Sequence, residues 1–132
     1  MISHEQDLMA QVGLIERLEL PEQARVLEAG CGTGPHLRQL AQVRPKWRLT
    51  GVDLCCAALS SGCMMAALQK SGIDFLQLDL YKLPYADGSF DFVYTRDVLD
   101  HLTDPEQALH ELRRVLAPGG TLLLFEQREP SA

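Results

Sequence analysis

Val26-Leu27-Glu28-Ala29-Gly30-Cys31-Gly32-Thr33-Gly34 is the stretch on which the reading of this chain turns. An apolar pair runs into an acidic residue and then into three glycines at alternate positions. The next residues, Pro35 to Ala41, read as a helix with proline in its first turn, where the missing N–H costs nothing. Strand, glycine turn and helix in that order open a nucleotide-binding α/β unit. Glycine lets the main chain turn sharply and lets a ligand lie against it with no Cβ in the way.

The spacing narrows the ligand. A dinucleotide fingerprint needs G-x-G-x-x-G, but Pro35 stands in its sixth position and the spacing here is G-x-G-x-G. With Glu28 two residues before the first glycine and Gly51-Val52-Asp53-Leu54 downstream, the chain resembles the class I S-adenosylmethionine-dependent methyltransferases. The resemblance runs from about Ala24 to Phe125 and is similar to the small-molecule branch that includes ubiquinone- and menaquinone-pathway enzymes. It implies an α/β fold: a Rossmann-like, doubly wound parallel sheet of strand order 3-2-1-4-5, lacking the usual last two strands. One domain over 1–132 is expected, with an N-terminal helix over 1–20 and a cofactor-binding core over 24–126.

The resemblance also implies a cofactor, S-adenosylmethionine, and a cofactor site: Glu28, Gly30, Cys31, Gly32 and Gly34 in the first motif, Asp53 and Leu54 at the end of strand 2, Asp79 and Leu80 after strand 3, and Thr95 at the end of strand 4. Asp53 is the sharpest of these. A carboxylate closing the second strand, about twenty residues past the glycines, accepts from the ribose hydroxyls in such folds. Asp79 has two readings, acceptor for the adenine amino group or plain turn residue.

Composition agrees with a globular domain, 46% hydrophobic and 23% charged, and no apolar run reaches membrane-spanning length. No basic-then-apolar leader opens the chain, so a cytoplasmic location is the default expectation. Eighteen acidic residues against twelve basic give a net charge of -6, which repels phosphate backbones and argues against nucleic acid. Cys31, Cys55, Cys56 and Cys63 form no C-x-x-C pair and have no histidine at metal spacing, so no metal site is expected. Free thiols are the reading, with Cys31 close enough to a ligand for its oxidation to block binding.

In chain order, Ser3 and Gln6 make a capping pair, and Leu8, Val12, Ile15 and Leu18 recur at helical spacing, a helix ending near Leu20-Pro21. It either caps the cofactor cleft as a partial lid or covers one sheet face. The helix after the glycines turns Leu37, Leu40, Ala41 and Val43 inward. Strand 2 is Trp47 to Val52. Cys55-Cys56 replace the Ser-Pro usual in the family, predicting a weakly capped helix from Ala57 to Lys70 with Gly72 as its C′ glycine. Strand 3 is Ile73 to Leu78, a turn falls at Asp87-Gly88, and strand 4 is Phe90 to Thr95. Asp104 and Pro105 start a helix with Ala108, Leu109, Leu112, Val115 and Leu116 inward. Ala117-Pro118-Gly119-Gly120 stops it, and Thr121 to Phe125 is a continuously apolar strand 5 buried on both faces.

The expected cleft gathers Glu28, Asp53 and Asp79 with no Lys or Arg in the motifs, which suits a sulfonium and an ammonium better than a pyrophosphate. Asp97 and His101 are candidate bases near a small-molecule acceptor. Histidine is suited to take a hydroxyl proton near neutral pH, and packing beside a helix is its other reading. Catalytic residues, acceptor and acceptor atom stay open. The function expected is methyl transfer to a small molecule. The alternatives are a non-catalytic or partner-dependent cofactor-binding module, a fragment of a longer methyltransferase, and a nicotinamide oxidoreductase, which Pro35 disfavours. Strand 5, an edge in the order 3-2-1-4-5, is a candidate for pairing in a homodimer or with a partner chain.

Overall fold

The computed structural model describes residues 4–126. Helices and strands alternate except between β3 and β4, which a loop joins: α1 (His4–Glu16), β1 (Arg25–Ala29), α2 (Pro35–Val43), β2 (Arg48–Asp53), α3 (Cys56–Leu68), β3 (Ile73–Gln77), β4 (Phe90–Arg96), a 3-10 turn (Leu99–His101), α4 (Pro105–Val115) and β5 (Leu116–Phe125). The sheet is parallel throughout, in the order β3-β2-β1-β4-β5. The expected topology is therefore present, and all strands end on one edge.

Side-chain alternation divides the core into two layers. Val26, Leu49, Phe92 and Tyr94 pack under α1 and α2 with Val12, Ile15, Leu37 and Leu40. Leu27, Ala29, Val52 and Val93 pack on the opposite face with Ala108, Leu112 and Val115 of α4. Each large apolar side chain buried there stabilises the fold by roughly 1.5–3 kcal/mol. Helices on both faces explain why β1 is buried at every position after Arg25.

The element boundaries correct several expectations. α1 ends at Glu16, short of Leu20, where the guanidinium of Arg44 donates to the Glu16 carbonyl at 2.8 Å and closes the helix end. The Ser3 capping pair falls outside the described residues. α1 packs on α2 and covers a sheet face. In α2, Val43 points outward at 40% exposure, while His36 is buried instead. α3 begins at Cys56, and Cys55 caps it with no side-chain bond, the weak start that the missing Ser-Pro predicts. Its C-terminus is a Schellman motif, with Ser71 N–H on Ala66 O at 2.8 Å and Lys70 N–H on Ala67 O at 3.1 Å. Lys70, at φ 57°, holds the left-handed C′ position assigned to Gly72.

β5 also departs from the reading. It starts at Leu116, directly after α4, and Leu116 pairs with Phe90 while Thr121 pairs with Phe92. Residues 117–120 thus stand opposite Asp91 alone, a wide bulge that absorbs the Pro-Gly-Gly turn inside the strand. A Cβ on Gly120 would lie 2.8 Å from the Asp91 carbonyl, so only glycine fits the bulge. The strand is half-buried rather than covered on both faces, and Leu124 is 39% exposed.

Candidate functional site

Three positive-φ glycines shape the turn after β1: Gly30 at 75°, Gly32 at 58° and Gly34 at 75°. A Cβ at Gly34 would come within 2.7 Å of the Phe75 ring, and one at Gly30 would strike Val98. At Gly32 it would meet nothing within 4 Å among the described residues, which leave this corner of the loop open. The turn is pinned to the end of β2, with Gly30 and Cys31 N–H both donating to Val52 O at 2.7 and 3.0 Å. On its other side α3 comes so close that a Cβ on Gly62 would lie 2.6 Å from the Thr33 carbonyl.

Asp53 is the hinge of this arrangement. Its Oδ2 accepts from Gly32 N–H at 2.8 Å and its Oδ1 from Cys55 N–H at 2.9 Å. Asp53 therefore ties the glycine turn to the residue that precedes α3, whose N-cap is Cys55. Each carboxylate oxygen has room for a second donor, so these bonds fix the group without exhausting it.

A cleft of about 340 Å³ opens at the carboxyl edge of the sheet. One end is walled by Asp53, Leu54, Asp79, Leu80 and Tyr81; the other by Gly30, Arg96, Asp97, Val98, His101 and Leu102. Leu80 is buried, and Asp79 Oδ1 accepts from Tyr81 N–H at 2.9 Å, the turn geometry that was its second reading. Asp97 sits at φ 51°, a left-handed conformation unusual for a residue with a side chain. Its N–H donates to Phe125 O at 2.7 Å, which ties the cleft floor to the end of β5.

Glu28 corrects the expected electrostatics. It is fully buried and lies outside the cleft wall. Its Oε1 accepts from the Tyr94 hydroxyl at 2.8 Å and its Oε2 from Arg96 Nε at 3.2 Å. Burial pushes its carboxyl up to about 7, with Arg96 and Tyr94 pulling the other way. The three carboxylates thus do not converge unopposed, because an arginine sits over one of them. β1 and β4 pair so that Glu28 lies opposite Tyr94, and Arg96, two residues on, projects from the same face.

Of the expected site residues, Gly30, Asp53, Leu54, Asp79 and Leu80 line the cleft, together with both candidate bases, Asp97 and His101. Glu28, Cys31, Gly32, Gly34 and Thr95 are not among the residues that line it. Thr95 is buried, and its Oγ1 has no hydrogen-bond partner among the described residues. Cys31 is buried too, and burial pushes its thiol up to about 12, with the charges of Glu28 and Asp53 adding to the shift. A thiol held protonated and covered does not suit the oxidation-sensitive role. Arg96, Tyr94 and His36 escaped the sequence reading. The i, i+2 spacing of Arg96 from Tyr94 gives a shared strand face but not its partner Glu28; for His36 no pattern distinguished it.

A methyltransferase-domain family model matches residues 27–124. The demethylmenaquinone methyltransferase of Thermus thermophilus is 35% identical over 106 residues, covering 80% of this chain and 48% of the relative. The ubiquinone/menaquinone biosynthesis C-methyltransferase UbiE of Hahella chejuensis is 35% identical over 111 residues, 82% of this chain and 45% of the relative. Among solved structures, the [4+2]-cyclase SpnF superposes with a TM-score of 0.85 at 30% identity, over 93% of this chain and 47% of the cyclase. The chain spans about half the length of the curated relatives named here.

Proposed function

The chain belongs to the S-adenosylmethionine-dependent methyltransferases, and we propose that its cleft binds S-adenosylmethionine for methyl transfer to a small-molecule acceptor. The observation that carries this reading is Asp53: a carboxylate at the end of β2, held by Gly32 and Cys55 N–H, with acceptor capacity left for a ribose diol. The other residues fit the same ligand. The open corner at Gly32 gives the ligand access to main chain. Asp79 and Leu80 wall the end of the cleft where an adenine ring would lie. Two unlike charges roughly 4 Å apart near a protein surface gain about 4 kcal/mol at an effective dielectric near ~20, so an acidic wall favours a cationic cofactor over a pyrophosphate.

The bound cofactor supplies an electrophilic methyl group. The chain has to align the acceptor in line with it and keep water out. Val98 and Leu102 give an apolar flank to the acceptor side, and His101 beside them is the side chain placed to take a proton from an acceptor hydroxyl. The relationship to a [4+2]-cyclase shows that this fold also carries other chemistry, which leaves a cofactor-binding protein without methyl transfer as the second reading.

Calorimetry tests the proposal. S-adenosylhomocysteine should bind, and Asp53→Ala should weaken it by about tenfold or more, since a hydrogen bond to a charged group contributes ~1.5–3 kcal/mol. Preference for NAD, or unchanged affinity in a folded Asp53→Ala protein, would sink the assignment. Detection of methylated product would then separate transfer from binding alone.

We place the partner surface on β5. Its outer edge carries no strand among the described residues, with Leu124 exposed and Leu123 half-buried. A second copy or a partner chain pairing there would cover it. Light scattering across a concentration series should show association that Leu123→Lys reduces; a monomer at every concentration contradicts self-pairing.

A further inference from the structure

We propose that Arg96, anchored from beneath by Glu28, receives the α-carboxylate of the cofactor's methionine moiety, which makes the cleft selective for a ligand with an anionic group at the end away from the ribose. The inference rests on the cofactor reading above and extends it to a residue and a ligand group.

Asp53, Asp79 and Asp97 line the cleft, and Arg96 is the only Lys or Arg among its described lining residues. A single cation in a wall otherwise acidic or apolar marks where a negative group is tolerated. The arginine is also placed rather than loose. Its side chain is 25% exposed, whereas the glutamate beneath it is 0% exposed.

Glu28 is itself fixed. Tyr94 OH donates to Oε1 at 2.8 Å, leaving Oε2 to meet Arg96 Nε at 3.2 Å. Tyr94 in turn is buried against Phe92, their rings stacked at 5.3 Å. The chain of contacts therefore runs from the core through Tyr94 and Glu28 to the guanidinium at the cleft. A guanidinium has five N–H donors in a planar fork, and one spent on Glu28 leaves the fork able to grip a carboxylate. An ammonium at that position would meet like charge, so the sign selects the carboxylate over the amine. Arg96 is thus a specificity residue, and Glu28 is its positioning residue.

The test pairs ligand truncation with substitution. The ligands are S-adenosylhomocysteine, its decarboxylated amine counterpart, and 5′-methylthioadenosine, measured by calorimetry on the purified chain. The wild-type protein should lose about 10- to 100-fold in affinity when the carboxylate is removed, the range for a charge-assisted pair. Arg96→Met should lose a similar factor on S-adenosylhomocysteine and change little on the other two ligands, and Arg96→Lys should recover part of the loss. Retained 5′-methylthioadenosine binding reports that the variant is folded.

Equal wild-type affinity for S-adenosylhomocysteine and its decarboxylated counterpart overturns the proposal without any variant. So does an Arg96→Met protein that binds S-adenosylhomocysteine more tightly, which would make the guanidinium an obstruction, or one that loses all three ligands alike. A wild-type protein that binds none of the three overturns the functional reading as well. Binding of 5′-methylthioadenosine with no carboxylate dependence overturns this inference alone.

Discussion

Two buried glutamates in this molecule each face an arginine, and their environments drive them in opposite directions. Glu111 of α4 accepts from Arg114 Nε at 2.6 Å, from Arg114 Nη2 at 3.2 Å and from Leu83 N–H at 2.9 Å. Those donors hold its carboxyl below the usual range, the Arg114 hydrogen bonds contributing most. Among the described residues Glu28 has only Tyr94 OH and one Arg96 nitrogen as donors, and burial wins, raising its carboxyl to about 7. The first pair clamps the segment after β3 to α4, since Arg114 also donates to the Leu83 and Tyr85 carbonyls at 3.0 and 2.7 Å. The second is under-supplied with donors and sits beside the cleft. A saturated ion pair is a structural fastening, whereas an undersupplied one at a site edge keeps capacity for a ligand.

The largest expected effect breaks the saturated pair. Glu111→Ala leaves Leu83 N–H without its acceptor and Arg114 without its main partner, so it should destabilise the fold by about 3 kcal/mol. Denaturant unfolding would measure the loss, and S-adenosylhomocysteine affinity of the folded fraction should stay within a factor of a few. A stable variant with lost affinity would reverse the roles assigned to the two pairs.

How much of this was legible in the sequence follows from the range of each interaction. The parallel sheet was legible in local patterns, the glycine turn, Asp53 at a strand end and the Asp104-Pro105 helix start, whereas its strand order came only from the family resemblance that those motifs carry; all of these are present. Asp53 in the cleft could be foreseen because strand-end position is a property of one segment. Arg96 over Glu28 could not, because the contact spans 68 positions and depends on which strands are neighbours. The same holds for His36, whose burial is set by α1: Gln11 Oε1 meets its Nε2 at 2.7 Å. The bulge at 117–120 was missed because Pro-Gly-Gly reads locally as a turn, and only pairing with β4 turns it into part of a strand. Lys70 held the place given to Gly72 because helix ends fray by a residue or two and glycine is preferred, not required, at C′.

An intermediate effect sharpens the contrast through pH. Glu28 in the fold keeps its proton above the unfolded value of 4.5, so the folded state binds more protons and stability falls as pH rises from about 4.5 to about 7. Buried His36 does the opposite. Burial, with Arg96 adding, lowers its imidazole to about 3, so the unfolded state binds more protons and stability rises from about 3 to about 6.5. Between about 4.5 and 6.5 the two slopes oppose and largely cancel. Glu28→Gln should therefore unmask a rise across that window of about 2 kcal/mol, and His36→Gln a fall of similar size, at up to ~1.4 kcal/mol per pH unit per proton. Thermal unfolding at several pH values reads both slopes. Two variants with the same sign of slope would show that one of these groups titrates near its ordinary value in the fold.

The smallest expected effect lies at the outer arm of the saturated pair. Arg114 Nη1 also meets Asp87 Oδ1 at 2.9 Å. Distance alone would rank this contact beside the Glu111 bonds, but the Asp87 side chain is 84% exposed. In water the attraction is screened, and holding two mobile side chains together costs entropy. Arg114 also keeps its other acceptors when Asp87 is gone: both Glu111 oxygens and the carbonyls of Leu83 and Tyr85. The turn at Asp87-Gly88 is held independently, since Gly88 has a φ of 70° and its N–H donates to Arg114 O at 3.0 Å. Asp87→Ala should then shift the melting temperature by no more than about 2 °C, with no added sensitivity to salt. A drop approaching that of Glu111→Ala would mean that the exposed carboxylate orients Arg114, and that burial is the wrong measure of which arm of the network holds the fold.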